Sequence, residues 1–159
     1  MIDYYLLADD AFLCSMGVER SRLPQKEQWL RDVLADHDAR DDKKDRFYLA
    51  WIYSGQQIGH SSINKITIGE EAYFHLHLWR PDLRKSGLGT ELSRKSVQFY
   101  FERFHLKRLF CEPFAENPAP NKVLPKLGFE FIRRYATVPG AISGEQEVNR
   151  YVLPRGAVR

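Results

Sequence analysis

The apolar positions in the first third of the chain predict two short elements, a longer helix and a loop. Residues 4–7 are apolar and predict a strand that leads into a first helix over residues 11–16. Pro24 stands where a helix often begins. Apolar side chains then recur at helical spacing to about residue 36, at Trp29, Leu30, Val33 and Leu34. The dense mixed charge of residues 36–46 predicts a solvated loop.

Beyond residue 46 the pattern changes to short extended segments rich in aromatic and β-branched residues. They predict strands at 47–53, 57–66, 72–79, 106–112, 129–135 and 148–153. Helical periodicity returns twice, over residues 87–104 and from about Asn121 to Gly128, which is a favourable residue for a helix C-terminus. The chain contains no repeat and no linker. This order predicts one α+β domain that spans residues 1–159.

Composition narrows the class of protein. Hydrophobic residues make up 43% of the 159 residues, and 24 basic against 21 acidic residues give a net charge of +3, too mild for the concentrated basic face of a nucleic-acid-binding protein. Cys14 and Cys111 lie far apart, so neither a disulfide framework nor a metal site is expected. No apolar run approaches the ~20 residues that span a bilayer. We expect a cytoplasmic monomer or homodimer that binds neither nucleic acid nor membranes.

The sharpest local feature is the sequence Arg84-Lys85-Ser86-Gly87-Leu88-Gly89-Thr90, between a predicted strand and a predicted helix. Glycines let a ligand approach the backbone, and the free N–H groups of the helix start attract anions. A P-loop needs Lys-Ser or Lys-Thr after its last glycine, but Thr90-Glu91 stands there. The dinucleotide fingerprint needs a third glycine, but Leu92 occupies that position. The turn therefore predicts a pyrophosphate site, with a turn that uses glycine only for its shape as the open alternative.

Two motifs together resemble the GNAT superfamily of N-acetyltransferases. The first is residues 79–90, where a strand end and a proline precede Arg-x-x-Gly-x-Gly at a helix start. The second is residues 116–129, an Asn-led helix from Asn117 that closes in Gly128-Phe129. The spacing of this second motif is similar to that of the branch that acetylates the N-termini of ribosomal proteins.

The resemblance implies a twisted, mostly antiparallel mixed sheet with helices on both faces, splayed between its fourth and fifth strands, here 72–79 and 106–112. It implies an enzyme that transfers an acetyl group from acetyl-CoA to a primary amine of a small molecule or protein by direct attack, without a metal. The coenzyme A would lie in the split. Its implied contacts are Leu78, Trp79, Arg80, Arg84, Lys85, Ser86, Gly87, Leu88, Gly89, Thr90, Asn117 and Asn121.

Two departures from the family pattern concern the chemistry. Leu124 stands where many members carry a tyrosine that protonates the leaving thiolate, and Pro120 replaces a serine common in the ribosomal branch. A non-catalytic acyl-CoA-binding sensor is therefore the alternative function.

Candidate catalytic residues lie on the two strands that flank the implied split. A lysine-like amine with a pKa near ~10.4 must lose a proton before it attacks, and histidine is the natural base at neutral pH. His75 and His77 share one face of an unbroken strand, although a bulge, common in the family here, would separate them. Glu112 could orient a histidine or bind the cationic amine. Tyr135 and the Pro139-Gly140 loop are candidates for the acceptor side.

Overall fold

The N-terminal part of the chain contains helices and no strand. The computed structural model describes all 159 residues, with helices α1 (Ile2–Leu6), α2 (Asp10–Ser15) and α3 (Lys26–Asp38) before the first strand. The strand predicted at 4–7 is wrong, since this segment forms α1. A short apolar run does not distinguish a strand from a buried helix, and Tyr5 packs with Leu13 and Trp29 in a cluster of their own.

Six strands form one sheet: β1 (Arg46–Tyr53), β2 (Gln56–Thr67), β3 (Glu71–Leu78), β4 (Arg108–Cys111), β5 (Glu130–Thr137) and β6 (Gln146–Pro154). Their spatial order is β1-β2-β3-β4-β6-β5, and only β3 and β4 run parallel. The predicted α+β class with a mostly antiparallel mixed sheet is confirmed. The predicted first strand is a helix, so each later strand has a number one lower than predicted. The predicted fourth and fifth strands are therefore β3 and β4, the parallel pair.

Helices cover both faces of the sheet. On one face, α4 (Leu88–Arg103) buries Val97, Tyr100 and Phe101 against Phe74 of β3 in the main core of 15 buried residues. On the other face, α1 contacts β3, where the Tyr5 hydroxyl lies 3.0 Å from Nε2 of His77. The helix α5 (Pro118–Val123) continues into a 3-10 turn and ends at Gly128, as predicted. Gly128 has φ +97°, and a Cβ there would collide with the Ala157 carbonyl oxygen.

The connection between β5 and β6 docks onto the N-terminal helices. The backbone N–H of Glu19 donates to the Ile142 carbonyl at 2.9 Å, and Ile142 packs against the cluster around Tyr5. A Cβ at Gly144 would lie against the Glu19 carboxylate. The N-terminal segment and the β5–β6 connection therefore meet on the face of the sheet opposite α4.

The segment predicted as a solvated loop at 36–46 contains one buried cation. Lys44 is 8% exposed, and its ammonium donates to the carbonyls of Asp36, His37 and Ala39 at 2.8, 2.7 and 2.6 Å. These are orphan acceptors at the C-terminus of α3, where a positive charge is favoured. Mixed charge alone did not reveal this role.

We expect Lys44→Met to lower the free energy of unfolding by about 2–3 kcal/mol, because three carbonyls at the C-terminus of α3 lose a charged donor. Chemical denaturation by urea measures the change. Lys43→Met is the matched control, since Lys43 is exposed and makes no comparable contact. Equal effects of the two substitutions would contradict this role of Lys44.

Candidate active site

The sheet opens between β3 and β4 after only three paired positions. The register joins Glu71 to Arg108, Ala72 to Leu109 and Tyr73 to Phe110, while β3 continues unpaired on this side to Leu78. The Trp79 N–H donates to the Ile58 carbonyl at 2.8 Å. Because antiparallel bonding alternates, odd-numbered residues of β3 bond to β2, and the backbone groups of Leu76 and Leu78 face the split. Strand β3 thus has a free hydrogen-bonding edge.

Three strand residues, Leu78, Trp79 and Arg80, are predicted to contact the ligand, and the backbone of Leu78 faces the split. The Trp79 N–H donates to β2 and is not free for a ligand, so a contact by its other groups stays a prediction. The Arg80 guanidinium pairs with the Asp82 carboxylate at 2.7 Å and is exposed.

The glycine turn places free N–H groups at the start of α4. Gly87 is the N-cap residue with φ +86°, a conformation that glycine adopts readily. The N–H groups of Gly87 and Gly89 make no hydrogen bond, whereas that of Thr90 donates to the Gly87 carbonyl at 3.0 Å. Thr90 therefore offers no free N–H, contrary to prediction. Beside the turn lies an open cavity of about 430 Å³, lined by Tyr53, Leu83, Ser86, Gly87, Leu88 and Glu91.

Space around the two glycines fits the approach of a ligand. A Cβ on Gly87 would meet nothing within 4 Å, and one on Gly89 would meet only Cδ2 of Leu78 at 3.8 Å. Lys85 and Arg84 are exposed at the same turn. The turn therefore combines helix N–H donors, positive charge and open space, next to the free edge of β3.

The two asparagines of the second motif have different surroundings. Oδ1 of Asn117 accepts from the Ala119 N–H at 3.2 Å and caps α5, while its Nδ2 has no partner. Nδ2 of Asn121 donates to the carbonyls of Phe114 and Asn117 at 3.0 and 2.7 Å. Its Oδ1 accepts from Tyr151 at 3.0 Å. Asn117 keeps a free donor, whereas the amide of Asn121 is engaged by the protein.

Three histidines line the face of the sheet that α1 covers. The β2–β3 register is regular from Phe74 to Leu78, so no bulge separates His75 from His77 and they share a face. Nε2 of His75 lies 3.1 Å from Oδ1 of Asn64. An amide oxygen only accepts, so Nε2 carries the proton and Nδ1 keeps its lone pair. His60 stacks on His77 with ring centroids 4.8 Å apart, and its Nδ1 accepts from Trp79 at 2.9 Å.

Burial keeps these imidazoles neutral. Desolvation, followed by the charges of Lys65 and Arg46, lowers the pKa of His75 to about 4. Desolvation, followed by His75, lowers the pKa of His77 to about 3. The pKa of His60 falls well below its usual value for the same first reason. At neutral pH each histidine is therefore an uncharged base.

We expect acid to destabilise the fold through these histidines. Unfolded histidine titrates near 6.5, so between pH 6.5 and about 4 the unfolded chain binds protons that His75 and His77 in the folded chain do not. Their stabilisation is complete above pH 6.5 and falls as the pH drops. From pH 7.5 to 5.0 the loss for the pair is about 4 kcal/mol. Urea unfolding at both pH values measures it. The expectation is contradicted if the free energy of unfolding does not change between the two pH values. It is also contradicted if the double variant His75→Gln/His77→Gln shows the same pH dependence as the parent.

Glu112 belongs to a cluster around Arg150 and contacts neither histidine. Its Oε1 accepts from Nη1 of Arg150 at 2.9 Å and from the Tyr135 hydroxyl at 2.5 Å, and its side chain is 7% exposed. Nη2 of Arg150 donates to the Tyr73 hydroxyl at 3.1 Å. Burial, then the bond to Glu112, raises the pKa of Tyr135. The prediction that Glu112 orients a histidine is wrong, because its carboxylate accepts from Arg150 and Tyr135 instead. The alternative role, binding the cationic amine, stays a prediction.

Sequence reasoning missed His60 and Arg150. A signal for His60 was present in the sequence. A hairpin between β2 and β3 that turns at Ile68-Gly69 pairs residues whose numbers add up to 137, so it places His60 opposite His77. Arg150 had no such signal. Its position depends on the order β4-β6-β5, which joins segments distant in sequence.

The family follows from a comparison with known domains. Residues 3–130 match the acetyltransferase (GNAT) domain. The chain therefore belongs to the GNAT acetyltransferase family, and the class predicted from its two motifs is confirmed. No match to a curated protein was found.

Solved structures share the fold at low sequence identity. A spermidine N-acetyltransferase from Vibrio cholerae, in complex with CoA and spermine, is 17% identical, with a TM-score of 0.73 over 97% of this chain and 88% of that one. A ribosomal-protein-S5-alanine acetyltransferase from Vibrio fischeri is 18% identical, with a TM-score of 0.77 over 99% and 88%. A ribosomal L7/L12 α-N-protein acetyltransferase in complex with CoA is 15% identical, with a TM-score of 0.76 over 97% and 87%.

The structure also bears on metals and membranes. No group of three or more His, Cys, Asp and Glu side chains is arranged to hold a metal ion. None of the helices has the length and apolar character needed to cross a bilayer.

Proposed function

We propose that this protein transfers an acetyl group from acetyl-CoA to a primary amine by direct attack. The observation that carries the proposal is the meeting of the glycine turn with the free edge of β3 at the split in the sheet. Gly87 and Gly89 offer unbonded N–H groups at the start of α4. The Leu78 side chain lies beside Gly89, so the free backbone groups of Leu78 are close to these N–H groups. A thioester donor with a pyrophosphate at one end and amides along its arm fits this arrangement.

The donor would bind in an extended form along the split. The N–H groups of Gly87 and Gly89 would hold the pyrophosphate, assisted by the helix dipole of α4 and the charge of Lys85. The backbone of Leu78 would pair with the amides of the pantetheine arm, and Nδ2 of Asn117 would donate to it from the other side. Asn121 would act indirectly, because its amide holds the segment around Asn117 in place.

The chemistry needs a base close to the thioester. We assign this role to His75, whose Nδ1 has a lone pair while Asn64 fixes the opposite nitrogen. Its pKa of about 4 makes it a weaker base than an ordinary imidazole, so it takes the proton as the amine attacks rather than beforehand. His77 is the weaker candidate, since its Nε2 already bonds the Tyr5 hydroxyl. A backbone N–H that faces the split, from Leu76 or Leu78, would stabilise the oxyanion formed on the acetyl carbonyl.

The leaving thiolate needs no dedicated proton donor. Leu124 is fully buried in the main core, so the position of the tyrosine in many relatives is structural here. An alkyl thiol has a pKa of about 8.5, so its thiolate is a stable leaving group near neutral pH. Loss of that tyrosine therefore does not by itself favour the sensor alternative, and the comparisons give that alternative no support.

Titration calorimetry with acetyl-CoA and with adenosine 3′,5′-bisphosphate tests donor binding. We expect saturable binding of acetyl-CoA and at least tenfold weaker binding of the fragment, because the fragment lacks the pantetheine arm. Turnover is then followed by chromatography of CoA and acetyl-CoA with a panel of polyamines, peptides and small amines. Chromatography avoids the exposed thiol of Cys14, which reacts with thiol reagents.

The outcomes separate the possible functions. Binding with amine-dependent release of CoA supports the enzyme. Binding without release for any amine favours the sensor, and absence of binding would show that the glycine turn is only structural. A cytoplasmic location, a monomer or homodimer, a single domain over residues 1–159 and the lack of affinity for nucleic acid and membranes stay predictions.

A further inference from the structure

A row of cations and tyrosines lies on the face of the sheet that carries His75. We call it the cationic arc, and it consists of Lys65, Tyr73, Arg150, Tyr135 and Arg133. The Lys65 ammonium lies 4.7 Å from the ring centroid of Tyr73, and the Arg150 guanidinium lies 5.6 Å from the same centroid. The Arg133 guanidinium lies 4.5 Å from the centroid of the Tyr135 ring. The arc therefore continues across β2, β3, β6 and β5.

The arc carries more positive charges than there are carboxylates in contact with it. Glu112 is the single carboxylate in contact, and it accepts from Arg150 through one oxygen only. Neither Lys65 nor Arg133 forms an ion pair. The neighbouring Arg46 is balanced by Asp45 at 3.6 Å. Arg134 points to the opposite face, where it pairs with Glu116 and Glu147. Three cations thus stand against one carboxylate, with two cations uncompensated.

The arc begins at Tyr73, the next residue along β3 whose side chain lies on the same face as His75. Tyr73 and His75 lie on the same face of β3, two residues or about 7 Å apart along the strand. Tyr73 is the last residue of β3 that pairs with β4, so the split opens between the arc and the histidine. An amine held at His75 would therefore place groups about 7–10 Å further along its own chain beside the arc.

The arc is built to keep its charges in place. Arg150 has a side chain only 20% exposed, and it is fixed by the hydroxyl groups of Tyr73 and Tyr135 and by the ring of Phe110 at 4.2 Å. Its Nε makes no hydrogen bond. A half-buried guanidinium with an unused N–H, next to unpaired ammonium and guanidinium groups, matches a carboxylate or a phosphate in charge and geometry.

We propose that the acceptor is an amine that also carries an anionic group, a carboxylate or a phosphate, bound by Arg150 at the centre of the arc, with the charges of Lys65 and Arg133 on either side of it. This inference rests on the proposed function and specifies its substrate class. A polyamine is the wrong acceptor for this face, because its second ammonium would meet the uncompensated cations at short range. The site thus differs in charge from one suited to spermine.

Four acceptors with one alkyl chain test the proposal: 6-aminohexanoate, 6-aminohexyl phosphate, 6-aminohexanamide and 1,6-diaminohexane. They share the reacting amine and differ in the charge at the far end. We expect kcat/KM for the better anionic acceptor to be at least ten times that for 6-aminohexanamide. It should be at least a hundred times that for 1,6-diaminohexane. Whether carboxylate or phosphate ranks first identifies the anion.

Charge reversal supplies the second arm of the test. Lys65→Glu/Arg133→Glu changes two exposed residues and should lower kcat/KM for the anionic acceptor at least tenfold while raising it for the diamine. Arg155→Glu is the matched control, because Arg155 is exposed beyond the closed end of β4 and should leave the ranking unchanged. Acetyl-CoA binding by each variant, measured by calorimetry, should equal that of the parent.

The possible failures are distinguishable. If amines are acetylated but the ranking is flat or favours the diamine, the anionic subsite is wrong and the proposed function stands. If the charge-reversed variant keeps the parent ranking, the arc does not bind the acceptor. If acetyl-CoA binds and no amine is acetylated under any condition, the proposed function and the inference fail together.

Discussion

Gly89→Asp is expected to weaken acetyl-CoA binding at least a hundredfold while leaving the fold intact. The substituted Cβ would lie 3.8 Å from Cδ2 of Leu78, an ordinary contact, and the backbone of Gly89 needs no positive φ. A carboxylate in the first turn of α4 is compatible with the helix dipole, so the helix should not be destabilised. It would occupy the position proposed for the pyrophosphate and repel it. Calorimetric titration and thermal unfolding measure the two effects.

Two control variants separate charge from volume. Gly89→Asn has almost the same size without the charge and should lose much less affinity than the aspartate variant. Gly156→Asp adds the same charge at a glycine with open space around it, and it should bind acetyl-CoA normally. Normal binding by Gly89→Asp would remove the glycine turn from the donor site. An equal loss in both Gly89 variants would show that space alone matters there.

His75→Ala is expected to lower kcat at pH 7 by about a hundredfold to a thousandfold with little change in the KM for acetyl-CoA. The reason is the loss of the base that takes the proton from the acceptor amine. The defect should shrink as the pH approaches the pKa of the amine, about 10, because the amine is then neutral without help. The measurement is a pH–rate profile of parent and variant at saturating acetyl-CoA.

The pH dependence makes the role of His75 testable apart from folding. Because burial holds the pKa of His75 at about 4, the parent kcat should show no inflection near pH 6.5 that belongs to this histidine. His37→Ala is the control, since His37 is exposed in the last turn of α3. A defect in His75→Ala that is constant from pH 7 to pH 10 would point to a structural role instead.

The sequence predicted the parts of this protein that depend on local pattern. The glycine turn, α4 and the strands β1 to β3 have strong periodic or turn signals, and the structure places them as expected. It did not predict α1, whose apolar run is too short to show a period and whose helix depends on packing Tyr5 under β2 and β3. Tertiary contact decided the conformation of that segment.

The candidate site divides along the same line. His75, His77 and Gly89 follow from motifs and alternation within one segment. The partner of Glu112 did not follow, because the Arg150 that binds it comes from β6, inserted between β4 and β5. No local rule predicts which long-range strand borders β4. The arc, which brings together side chains from four strands, was not predicted for the same reason.

The contact between the N-terminal segment and the β5–β6 connection has a consequence for how the protein assembles. The donor side that we propose, from β3 to Gly128, is nearly continuous in sequence, whereas this contact joins residues more than 120 positions apart, Glu19 and Ile142. Contacts of such separation form late in folding and open early. We expect amides of the segment around Ile142 to exchange hydrogen with solvent before those of α4. We expect the protein to admit and release acceptors by local opening while the proposed donor half stays assembled.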